Sequence, residues 1–210
     1  MNKAYYIAAG LAAIYAAFYL RKAKAGKKTV AVVGDSLSLS NAGWQNILAK
    51  RYGWNVDNFS KIGQTSGQAL ARFKASSKKY DTVFIFLGAN DTYGGINPVT
   101  SIDNLKQIIR IAKEGGAKTI VIPGILSSKV SNSSEALKYD DLKSKMIYLP
   151  GMVVPILRTV DPKDVPDGLH FGASTHKQLA ELIDSWSLRY TAPSPSATKP
   201  ISLTLNSMNL

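Results

Sequence analysis

Three short apolar runs do most to limit what this chain can fold into. They are Thr29–Val33 (TVAVV), Thr82–Leu87 (TVFIFL) and Thr119–Ile122 (TIVI). Each is apolar at nearly every position and rich in β-branched or aromatic residues, the pattern of a strand covered on both faces. Helical patterns fall between them. Gly43–Tyr52 places Trp44, Ile47, Leu48 and Arg51 at helical spacing, and Gly67–Lys74 starts another helix. Ile102–Ala112 gathers Ile102, Leu105, Ile108, Ile109 and Ala112 on one side and meets a stop at Gly115-Gly116. Val56–Ile62 reads as a further strand, Glu135–Lys145 as a helix and Ala173–Tyr190 as the last helix. Strands alternating with helices predict an α/β fold, a parallel sheet with helices on both faces. Within residues 125–165, Ser127–Ser134 reads as a loop and no fifth strand is assigned.

The 210 residues suit one main domain. Before it, Ala4–Leu20 runs for 17 residues without a charge and stops against Arg21, Lys22, Lys24, Lys27 and Lys28. That length is near the lower limit for a membrane span, and Tyr5, Tyr6 and Tyr19 sit where interfacial aromatics belong. Residues 1–28 are therefore read as a hydrophobic anchor helix and basic linker, residues 29–190 as the domain and residues 191–210 as a Ser/Thr/Pro-rich tail. Ala23-Lys24-Ala25 has the small-x-small form of a signal cleavage site, but the charges packed behind the apolar run argue against cleavage. The basic flank favours a cytoplasmic C-terminal side, except for a protein delivered by another route, such as in a virus particle.

Charge narrows the partners. The chain carries 26 Lys and Arg against 14 Asp and Glu, a formal charge of +12. Six of those bases lie in residues 1–28, which hold no acid. A basic segment beside an anchor suits an anionic membrane surface, and no nucleic-acid partner is expected. With no cysteine, disulfides, thiol nucleophiles and cysteine zinc sites are excluded. With only His170 and His176, a histidine-rich metal centre is excluded too.

Chemistry-bearing residues cluster after strands. Gly34-Asp35-Ser36-Leu37-Ser38 follows the first strand. A serine on that turn presents its hydroxyl at the C-terminal edge of the sheet, where open α/β sheets place their sites. It would also be a plain helix cap. Gly88-Ala89-Asn90-Asp91 opens on the same edge, and the Asn90 amide is a candidate oxyanion donor or part of an ordinary turn. In Asp167-Gly168-Leu169-His170, the three-residue spacing lets the carboxylate orient the imidazole. The other reading is a solvated surface histidine. His176 falls inside the last helix and reads as structural or exposed.

Taken in order, these segments resemble the SGNH hydrolases, also called the GDSL esterase/lipase family, from about Thr29 to Tyr190. The resemblance implies a three-layer α/β/α sandwich with a flavodoxin-like parallel sheet. It implies Ser36 as nucleophile, His170 as base and Asp167 as the partner of that base. The oxyanion hole would be formed by Ser36, Gly67 and Asn90. The family's second block, an Asn-x-x-x-Ser-Gly kind of stretch, matches least well. Lys61–Gly67 offers Gly67, preferred for its Ser66-Gly67 pair, with Gly63 in reserve, and the upstream asparagine is read as absent. Trp44 and Leu48 suit the pattern often found in the helix after the serine.

The implied activity is hydrolysis of a carboxylic ester without cofactor or metal. Short loops between the blocks favour short acyl groups, such as acetyl on a cell-envelope polysaccharide. A lipase or thioesterase acting on lipid acyl chains is the alternative enzyme. The alternative outside catalysis is an idle, membrane-tethered module of a larger assembly such as a virus particle.

Overall fold

The computed structural model describes residues 27–123, 133–153, 162–165, 167 and 170–189. The apolar run at residues 4–20, residues 127–132 of the expected Ser127–Ser134 loop and the expected tail at 191–210 lie outside the described residues, while Ser133 and Ser134 open a helix instead of ending that loop. Among the described residues no helix is long and apolar enough to cross a membrane.

The strands are β1 (Thr29–Gly34), β2 (Asn55–Asn58), β3 (Thr82–Phe86), β4 (Lys118–Val121) and β5 (Met152–Val153). They form one parallel sheet in the order β2-β1-β3-β4-β5, the flavodoxin-like order. The helices are α1 (Trp44–Tyr52), α2 (Ser66–Lys74), α3 (Ala89–Tyr93), α4 (Pro98–Glu114), α5 (Ser133–Met146) and α6 (Ala173–Arg189).

Side chains alternate across a strand, so each central strand feeds two cores. Ala31, Val33, Val83, Ile85, Leu87 and Val121 pack with α2, α4 and α5. Val30, Val32, Phe84, Phe86, Ile120 and Ile122 pack with α1 and α6. This explains why β1 and β3 read as unbroken apolar runs. Trp44 of α1 is fully buried and meets Phe84 and Phe86 edge-on, at centroid distances of 5.4 and 6.3 Å. The three-layer α/β/α sandwich is thus present.

Several elements differ from the expectation, among them a short helix at Ala89–Tyr93 where the sequence pattern predicts only an open turn. β2 ends at Asn58 rather than Ile62. Asn58 Oδ1 accepts the Ser60 N–H at 3.0 Å, and the Gln64 N–H closes a turn onto the Lys61 carbonyl at 3.2 Å. Both bonds draw the chain away from the ladder. Helix α4 starts four residues before Ile102, at Pro98, with Asn97 Oδ1 accepting the Val99 N–H at 2.9 Å. Proline at the first helical position costs no hydrogen bond, and Asn is a strong cap. The fifth strand, unassigned from sequence, is two residues long and pairs Met152 with Ile120 and Val153 with Val121.

Candidate active site

At the end of β1 the chain turns sharply. Asp35 caps a short 3₁₀ turn, Ser36–Ser38, its Oδ1 accepting the Leu37 N–H at 3.0 Å. The turn is packed so closely that a Cβ on Gly34 would lie 2.7 Å from Ser38 Oγ and 2.8 Å from Ser60 Oγ. Only glycine fits there. Ser36 is thereby set at the C-terminal edge of the sheet.

The structure brings His170 and Asp167 to that serine. His170 Nε2 lies 3.1 Å from Ser36 Oγ, and Nδ1 lies 2.6 Å from Asp167 Oδ2. Asp167 Oδ1 also accepts the His170 backbone N–H at 2.7 Å. With Nδ1–H donating to the carboxylate, the Nε2 lone pair is free to accept the serine proton. Both side chains are about half exposed, at 48% for His170 and 53% for Asp167.

Asn90 stands in the first turn of α3, directly after β3. Its Nδ2 donates to the Gln64 carbonyl at 3.2 Å. Gly88 makes the tight passage between the two elements at φ +121, where a Cβ would meet Met146 Cε at 2.8 Å. Next to Asn90, the carboxylate of Asp91 is fully buried. It accepts the Ser66 N–H at 2.8 Å, the Ser101 hydroxyl at 2.8 Å and the Ser66 hydroxyl. This ties the start of α2 to α3 and α4.

The two candidate glycines sit differently. Gly67 is the second residue of α2, where an added Cβ would face Asn104 Nδ2 at 3.5 Å. Gly63 lies in the Lys61–Gln64 turn with φ +67, and the next residue carries the carbonyl that binds Asn90.

The sequence reading missed two residues here. An asparagine, Asn58, stands five places before Gly63 rather than before Gly67. It donates Nδ2 to the Ser38 carbonyl at 2.7 Å, joining β2 to the serine turn. Its spacing from Gly63 was the available signal. Gln64 is the second, and no sequence pattern marks it.

Ser36 and His170 open on a cleft of about 340 Å³ whose other walls include Leu39, Ile62, Phe171 and His176. His176 is buried rather than exposed, edge-on to Phe171 at 5.7 Å, and its Nδ1 has no hydrogen-bond partner. Burial pushes its pKa down, opposed by the charge of Asp164. Burial has the opposite consequence for Asp35, whose pKa is pushed up to about 7 against the Leu37 N–H bond, with the Asp91 charge adding to the rise. Among the described residues no group of three or more His, Asp or Glu side chains is placed to hold a metal ion.

A hydroxyl against an imidazole that is itself held by a carboxylate is the arrangement that serine hydrolases use. Comparison with known proteins supplies the family. The model of the GDSL-like lipase/acylhydrolase family matches residues 29–194, and the chain belongs to that family of ester hydrolases. It is 31% identical to the arylesterase of Vibrio mimicus over 182 residues, 79% of this chain and 91% of that protein. It is 35% identical to the esterase TesA of Pseudomonas aeruginosa over 118 residues, 50% of this chain and 59% of that protein. A crystal structure of TesA superposes with a TM-score of 0.58 at 27% identity, covering 75% of this chain and 97% of that one.

Proposed function

We propose that this chain hydrolyses carboxylic esters through Ser36, His170 and Asp167. The observation that carries the reading is the line from Ser36 Oγ to His170 Nε2 and from Nδ1 to Asp167. Ser36 Oγ attacks the ester carbonyl as its proton passes to His170 Nε2. Asp167 keeps Nδ1 protonated and balances the imidazolium. The oxyanion is held by the Ser36 N–H, the Asn90 amide and one glycine N–H. We assign that last donor to Gly63 in preference to Gly67, because Asn90 is bonded to the residue after Gly63. The tetrahedral intermediate collapses as His170 returns the proton to the leaving alkoxide. Water, activated by the same imidazole, then releases the acid.

For the substrate, the volume of about 340 Å³ at Ser36 is near the small end for ligand sites and supports a short acyl group. Acetyl on a cell-envelope polysaccharide fits that size, and an anchor at residues 4–20 would hold the enzyme near such a polymer. Relatives named esterase and arylesterase support ester cleavage without fixing the acyl chain. One observation favours the lipid alternative. A cavity of about 510 Å³, walled in part by Thr92, Ile96, Pro98 and Leu142, flanks the helix that carries Asn90.

The test is hydrolysis of p-nitrophenyl esters from acetyl to palmitoyl by the full chain beside Ser36→Ala. The expected result is turnover highest on acetyl or butyryl, falling by about 10⁴-fold or more in the variant. A profile peaking at long chains would move the reading to a lipase. Turnover that survives in Ser36→Ala would refute the assignment of the nucleophile.

A further inference from the structure

Gln64 is 2% exposed, yet none of its polar atoms is idle. Its Nε2 donates to the Gly34 carbonyl at 2.7 Å and to the Phe59 carbonyl at 3.1 Å. Its Oε1 accepts Arg72 Nε at 2.8 Å. Its backbone carbonyl accepts the Asn90 amide at 3.2 Å, and its backbone N–H closes the Lys61–Gln64 turn that contains Gly63. A carboxamide has two N–H donors, and both are committed here.

The partners matter more than their number. Gly34 is the last residue of β1, two before Ser36. Phe59 follows β2, Arg72 lies in α2 and Asn90 in α3. The buried side chain therefore ties the Gly63 turn to the end of β1, to the Phe59 loop and to α2, and so fixes the place of the Gln64 backbone carbonyl that holds Asn90. The Asn90 amide also has two N–H bonds. Holding one on the Gln64 carbonyl fixes the rotation of the group and leaves the other for substrate.

We propose that Gln64 is a positioning residue for the oxyanion hole, holding Asn90 and the Gly63 turn in register with Ser36. This rests on the serine-esterase reading above. Oxyanion donors act only when aimed in advance at the place where charge develops. Loosening them slows the chemical step and leaves ground-state binding nearly untouched. A residue that only supported the fold would alter stability without that pattern.

The test compares full-length wild type, Gln64→Leu, Asn90→Ala, the double variant and Arg72→Met on p-nitrophenyl acetate, with melting temperatures measured alongside. Gln64→Leu should lower kcat by about 10- to 100-fold while KM stays within about threefold, a smaller loss than removing a donor outright. In the Asn90→Ala background the same change should cost at least about threefold less than it does in wild type, since one of the two donors it positions is gone. Arg72→Met, which removes only the partner of Oε1, should lower kcat in the same direction by about threefold or more. An unchanged kcat in Gln64→Leu, or a full multiplicative loss in the double variant, would overturn the proposal. If Gln64→Leu does not fold, Arg72→Met decides, and an unchanged kcat there overturns it. Wild type without Ser36-dependent turnover would instead refute the esterase reading on which the proposal stands.

Discussion

In the proposed mechanism Asn90 and His170 both serve Ser36, but they are held in different ways. Asn90 is bonded to the carbonyl of a buried glutamine and is followed by the fully buried carboxylate of Asp91, which accepts from Ser66 and Ser101. His170 and Asp167 are about half exposed and bond to each other three positions apart in sequence. One half of the site is held by interlocked elements of the fold, the other by a local pair. Groups fixed in a water-poor framework need little rearrangement when charge develops, whereas an exposed pair shares its work with solvent.

The difference orders the expected effects. Asn90→Ala removes a donor from the rigid half and should cut kcat by about 100- to 1,000-fold, about 2.7–4 kcal/mol, with KM little changed. Steady-state kinetics on p-nitrophenyl acetate reads this, and a loss below tenfold would mean that Asn90 does not face the oxyanion.

The buried half also has a cost that pH exposes. Asp35 has a carboxyl pushed by burial from 3.8 to about 7, so the folded chain holds its proton more tightly than the unfolded chain does. This group's contribution to stability is full below about pH 4 and is lost as pH rises towards 7. Asp35→Asn keeps an acceptor for the Leu37 N–H and removes the buried charge. It should stabilise the protein at pH 8 by on the order of 2 kcal/mol, with about 4 kcal/mol as the ceiling for a shift of this size. The advantage should vanish near pH 4. Melting curves at the two pH values check it, and an equal difference at both would contradict it.

The smallest effect belongs to the exposed half. Asp167→Asn should lower kcat by about tenfold, or about 1.4 kcal/mol, against the ~10⁴ typical of a buried triad aspartate. Because water reaches the pair, raising salt should narrow the gap between wild type and variant. A loss near 10⁴ would show that this half is as enclosed in the working enzyme as the other.

The same contrast explains what the sequence disclosed. Asp167 and His170 are three residues apart, so their pairing is local and readable. Ser36 and Asn90 follow strongly apolar strands, so sheet topology alone takes them to one edge. Gln64 and Asn58 act by donating side-chain N–H groups to backbone carbonyls of other strands and turns. Residue type does not reveal such contacts before the topology is known. The second block is the least legible for that reason: residue type favours the Ser66-Gly67 pair, whereas the contacts of Asn58 and Gln64 support the proposed Gly63. Within the fold, β1 and β3 were legible because both faces are covered. Strand β5 was not, because two residues carry no periodicity.

The central claim is that Ser36 is the nucleophile activated by His170. It is tested most directly by treating the full chain with a fluorophosphonate and locating the adduct by peptide mass spectrometry. The account predicts one stoichiometric adduct on Ser36, formed in step with loss of ester turnover and slowed at least about 100-fold in His170→Ala. An adduct on another serine, or labelling of Ser36 at an equal rate without His170, would contradict it.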